Sequence, residues 1–181
     1  MTVADYAWVD DLPELTLALI EFAGGPEDLF AEVSRSARDL RPDEDMWQVG
    51  ADDLEPMLVG RLGPWLTLLA YNGFLLSLPE VAADVSRVGR VVSIHQSVNA
   101  DMAFVFAEHG DVLRYFDPLL DEPGEGDGEP LPEEAGLPFG RDDQAVWPAA
   151  FALLERVTGQ RITQAWLTDD DRPCVVVDRT A

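Results

Sequence analysis

The chain of 181 residues contains no lysine, and its positive charge rests on 12 arginines. Against them stand 35 aspartates and glutamates, for a formal net charge of −23. Without lysine there is no phosphate-gripping P-loop, and Gly124-Glu125-Gly126-Asp127-Gly128, the one glycine-rich run, carries acids that repel phosphate. The same imbalance argues against direct binding to nucleic acid or to an anionic membrane, since both would be repelled. One cysteine, Cys174, excludes an internal disulfide and fits a reducing compartment. Two histidines, His95 and His109, with that cysteine make a poor ligand set for zinc. No G-x-S-x-G elbow is present, and Cys174 opens the apolar run Cys-Val-Val-Val, where a thiol is inert. No catalytic set, metal or cofactor is therefore expected. The apolar stretch 15–23 is interrupted by Glu21 and too short to span a bilayer. The first basic residue is Arg35, whereas a secretory signal begins with a basic region, so no such signal is expected. The expectation is a soluble, cytoplasmic protein.

What is present suits a folded domain. Apolar residues make up 47%, which places the chain among globular proteins. Its length suits a single domain over residues 1–181. The charge is unevenly spread: residues 1–60 carry 15 acids, 61–110 carry 4, and 111–181 carry 16. The middle of the chain is thus the expected core, and the flanks carry the field.

Periodicity and turn residues give the expected elements. Asp11, Pro13 and Glu14 resemble a helix start, and Leu12, Leu15, Leu19 and Phe22 recur at helical spacing. A second helix opens at Pro26-Glu27-Asp28, so the two predict an N-terminal helix pair. Residues 41–56 read as irregular, with Trp47 and Val49 as a possible short strand. Residues 64–71 read as a buried strand and 79–88 as a helix. Residues 90–98, 102–108 and 112–116 then predict an antiparallel meander, turning at Asn99-Ala100-Asp101 and His109-Gly110. Residues 117–140, rich in Pro, Gly and acids, read as a mobile loop. Residues 143–157 show an apolar stripe, with Gly159 just past the end; a short helix at 162–167 and a strand at 174–177 complete the chain. The fold class is α+β: an antiparallel meander sheet packed against the helix pair and a C-terminal amphipathic helix.

Several short motifs occur in order: Phe22-Ala23-Gly24-Gly25-Pro26-Glu27-Asp28-Leu29, then Trp65 and Asn72-Gly73-Phe74, then Arg90-Val91-Val92-Ser93 and Val98-Asn99-Ala100. Glu108-His109-Gly110, Phe116-Asp117-Pro118 and Leu153-Leu154-Glu155-Arg156-Val157-Thr158-Gly159 follow. In this order the chain resembles a family of small actinobacterial proteins known only as a domain of unknown function. The resemblance implies an α+β fold and brings no catalytic residues. Family members often carry an acid just before the Asn-Gly pair, where this chain has Ala70 and Tyr71.

Three functional readings follow. The first is a non-catalytic protein-binding domain, immunity-like or regulatory, whose acidic surface engages a basic protein partner. Its candidate contacts are Trp47 with Asp43, Glu44, Asp45, Asp52 and Asp53, and the loop acids Asp121, Glu122, Glu125, Asp127 and Glu129. Those loop acids also offer calcium-type oxygens, but their spacing is not that of an EF-hand. Trp8, Trp147 and Trp166 likewise lie outside the central strands, whereas Trp65 belongs to the core. The second reading is an enzyme with a pocket near His95 or His109; whether the meander brings the two together depends on its pairing register, which the sequence leaves open. Strand alternation groups His95 with Ser93 and Ser97, opposite Val92 and Ile94. The third is a nucleic-acid mimic, which needs carboxylates spaced along a ridge.

Overall fold

The computed structural model describes residues 2–33, 35, 37–41, 44–49, 53–122, 124–140, 145–169 and 171–179, without the side chain of Trp47. The chain runs β1 (Leu15–Glu21), α1 (Pro26–Glu32), β2 (Ala37–Asp39), α2 (Met46–Val49), β3 (Leu54–Leu62), β4 (Trp65–Tyr71), α3 (Pro79–Val85), β5 (Val91–Gln96), β6 (Met102–Glu108), β7 (Asp111–Phe116), α4 (Val146–Thr158), α5 (Gln164–Leu167) and β8 (Cys174–Asp178). Short 3-10 turns cover Val3–Asp11, Leu75–Ser77 and Pro132–Glu134. The strands form one antiparallel sheet in the order β2-β8-β3-β4-β1-β5-β6-β7.

Both faces of this sheet are covered, and that explains the main departure from the sequence reading. Leu15, Leu17 and Leu19 point to one face, where they join Trp65, Ile94, Phe104, Phe116 and α4. Ala18 and Ile20 point to the other, among Leu29 and Phe30 of α1 and Val81, Ala82 and Val85 of α3. A strand buried on both sides shows a continuous apolar run, which periodicity cannot separate from a helix. Residues 15–21 are therefore the central strand β1 and not a helix, and the expected N-terminal helix pair does not exist. Helix α1 stands alone and carries the chain from the centre of the sheet to its far edge.

Two further expectations change. Trp47 and Val49 lie in the short helix α2, not in a strand, and the strand of this region is β3. Pro56 disguises it; the residue sits where β3 pairs with β8 but not with β4, so its missing N–H is tolerated. Helix α4 is buried nearly all round, not along one stripe: the sheet covers one side, and the Val3–Asp11 turn covers the other with Tyr6, Val9 and Trp8. Tyr6 donates a hydrogen bond to Glu155 of α4, and burial with that bond pushes its phenol well above the usual range. Trp147 is buried in this layer, and Trp8 and Trp166 are half-buried against it, so none of the three is a free surface aromatic.

The meander β5-β6-β7 forms as expected. His109 (φ 57°) and Gly110 (φ 90°) are the two central residues of the β6–β7 hairpin, a geometry that demands positive φ at both.

Candidate functional site

The acidic segments occupy opposite edges of the sheet. The described residues of 39–55 lie with β2 and β3, and those of 117–134 follow β7. Seven strand spacings separate β2 from β7, roughly 34 Å. They are two surfaces and not one patch.

On the first, Asp43 and Asp52 lie outside the described residues, as does the Trp47 side chain. Glu44 turns inward, accepting bonds from Arg38 (2.6 and 2.9 Å) and Arg41 (2.5 Å). These guanidiniums hold its carboxyl well below the usual range. Asp45 and Asp53 are exposed and use their backbone carbonyls to receive Gln48, Val49 and Arg179.

The second surface is built differently. Arg114 of β7 is only 1% exposed and points under the loop. Its Nε and Nη2 donate to the two oxygens of Glu134 at 2.7 and 3.0 Å, and the guanidinium lies 4.5 Å from the Phe116 ring. Asp127 exchanges both backbone hydrogen bonds with Tyr115, so the loop pairs with the outer edge of β7. A Cβ on Gly128 (φ 83°) would collide with the Leu113 carbonyl, which fixes glycine there. Leu137 and Phe139 then bury themselves in the core. The segment 117–140, expected as a mobile loop, is thus tied to the sheet at several points. Outside these ties Glu122, Glu125, Asp127 and Glu129 are exposed, beside Leu120 at 73% exposure.

A cleft of about 350 Å³ lies between the β4–α3 connection and the β5–β6 turn. Its lining includes Glu14, Asn72, Gly73, Phe74, His95 and Asp101. Alternation placed His95 correctly, but its partner could not be foreseen while β1 read as a helix. That partner is Thr16, fully buried on β1 and directly across from His95. Thr16 Oγ1 donates to the Gly73 carbonyl at 2.5 Å and stands 2.8 Å from His95 Nδ1. Burial lowers the imidazole's pKa, against the opposing pull of Glu14 and Asp101.

The turn that forms one wall is fixed from behind as well. Glu55 of β3, buried, accepts the N–H groups of Phe74 (3.1 Å) and Leu75 (3.1 and 3.2 Å). Burial pushes its carboxyl above the usual range. A Cβ on Gly73 would sit 2.6 Å from Glu55.

His109 does not join this cleft. His95 pairs with Ala103, whereas His109 follows Glu108 at the far end of β6. The register that the sequence left open thus keeps the two histidines apart. His109 borders a smaller hollow of about 220 Å³, where Arg90 is bound to Glu21 at 2.7 Å.

The model of one family matches residues 1–181. The chain belongs to DUF6461, a family of unknown function. Neither a curated protein nor a solved structure matches it. Two of the motifs behind the sequence resemblance, Asn72-Gly73-Phe74 and Val98-Asn99-Ala100, meet at the His95 cleft. No group of three or more metal-ligating side chains exists among the described residues, and Cys174, half-buried, has its thiol pushed up by burial. No helix among the described residues is long and apolar enough to cross a membrane.

Proposed function

We propose that this protein is a non-catalytic recognition domain that engages a basic protein partner through the acidic segment 117–134, in an immunity-like or regulatory role. The observation that carries the reading is the anchoring of that segment. An acidic loop kept only for solubility needs no buried ion pair beneath it. Here Arg114–Glu134 and the Tyr115–Asp127 pairing hold the loop against β7 while Glu122, Glu125, Asp127, Glu129 and Leu120 face outward. A pre-ordered acidic rim around an exposed apolar side chain suits docking, because little ordering entropy remains to be lost on binding.

The arginines favour the same reading. Arg38, Arg41, Arg87, Arg90, Arg114 and Arg161 form internal ion pairs. Arg35, Arg61, Arg156 and Arg172 donate to backbone carbonyls. These ten arginines are engaged with groups of the chain itself, and the formal net charge of −23 makes the field outside negative. A nucleic-acid mimic is less favoured, because the acidic segments sit at opposite edges and form no common ridge.

Capture from native lysate tests the reading. The wild-type protein should retain a basic partner at low salt and lose it at high salt. The variant E122Q/E125Q/E129Q should retain much less at low salt. Retention by the variant equal to wild type would sink the assignment to this loop.

A further inference from the structure

The His95 cleft has a feature the recognition reading does not use. The Thr16 hydroxyl has one proton, and it goes to the Gly73 carbonyl. Thr16 Oγ1 can then only accept from His95, so Nδ1 carries the imidazole proton. Nε2 is left as a bare acceptor, and no hydrogen bond occupies it among the described residues. The ring lines the cleft together with two carboxylates. Glu14 spends one lone pair on the Val98 N–H (2.9 Å), and Asp101 spends one on the Ser97 hydroxyl (3.2 Å). Both keep further acceptor capacity. The rim is apolar and solvent-facing: Phe74 is 44% exposed and Val98 79%. Charged acceptors inside an apolar rim complement a planar, donor-only cation on an aliphatic stem.

We propose that this cleft is a binding site for an alkylguanidinium group, held by His95 Nε2 and the Glu14 and Asp101 carboxylates, with its stem against Phe74 and Val98. An arginine side chain of a protein or a free small guanidine could supply the group. The site therefore stands or falls apart from the role of the acidic loop.

The charged groups around the imidazole are Glu14 ahead of β1 and Asp101 in the β5–β6 turn, with Glu55 behind the Asn72–Phe74 turn and the Arg179 guanidinium 5.7 Å from the Phe74 ring. Protonation of Nε2 removes the acceptor and adds a repelling charge. Affinity should therefore fall as the pH drops through the titration of His95 and stay level above it.

The test is an NMR titration of the ¹⁵N-labelled protein with propylguanidinium, with plain guanidinium ion at equal concentration as control. Before addition, the His95 nitrogens should show the Nδ1–H tautomer. Propylguanidinium should shift Nε2 saturably, and the stemless ion should bind more weakly. In E14Q/D101N, which keeps acceptors for Val98 N and Ser97 Oγ, binding should weaken about tenfold or more. A blocked Gly-Gly-Arg-Gly-Gly peptide distinguishes the sources: tighter binding than propylguanidinium assigns the site to a protein side chain, and equal or weaker binding assigns it to a free guanidine. An Nε2–H tautomer, or a shift that does not saturate or is independent of pH, overturns the proposal even if the double variant fails to fold.

Discussion

Replacing Arg114 by methionine removes the cation under the acidic loop and leaves Glu134 stranded. The side chains of the pair are 1% and 8% exposed, so water cannot readily take the lost partner's place. Breaking a buried pair by removing one member costs about 3–5 kcal/mol. In a chain of this size each kcal/mol moves Tm by roughly 2–4 °C, so R114M should melt about 6–20 °C lower. Urea unfolding at pH 7 measures the loss directly, and a Glu-specific protease should cut at Glu122, Glu125 or Glu129 faster than in wild type. Removing both charges in R114M/E134L should recover most of the loss, since paired apolar replacements of buried ion pairs are often near neutral. A single variant costing under about 1 kcal/mol, or a double variant as unstable as the single, would refute the view that this pair pins the loop.

Other expectations follow from the same structure. Glu55 has a raised folded pKa, so its contribution to stability is full below the ordinary carboxyl pKa and is lost as pH rises through the folded value. E55Q, which can still accept the Phe74 and Leu75 N–H groups, should flatten stability against pH above about 4.5 in urea unfolding, and an unchanged profile would contradict the burial argument. Gly128→Ala should cost more than about 1 kcal/mol and loosen the loop's pairing with β7, read as faster hydrogen exchange at the Asp127 and Tyr115 amides.

How much was legible in the sequence depended on burial and on distance along the chain. The β5–β7 meander was readable because its turns carry their own chemistry, His109-Gly110 above all, and because β5 is short and rich in β-branched residues. Helix α4 was readable from its spacing and from Gly159, which adopts φ 70° and donates its N–H to the Glu155 carbonyl at the helix end. Strand β1 was not, because burial on both faces erases the period-two signal. That one misreading also hid Thr16, and with it the hydrogen-bond chain that sets the state of His95. Strand β3 was masked by Pro56. The loop's acidity was plain, but its anchoring was not, because Arg114 and Glu134 lie 20 residues apart and only the fold brings them together. Counting charges likewise could not show that Glu44 is spent on Arg38 and Arg41, or that the two acidic segments face away from each other across the sheet.

The most direct test of the recognition role is a hydrogen-exchange footprint of the protein with and without the basic partner captured at low salt. Protection concentrated in residues 117–134, and absent from 39–55, is the expected result. Protection elsewhere with none in the loop would contradict it.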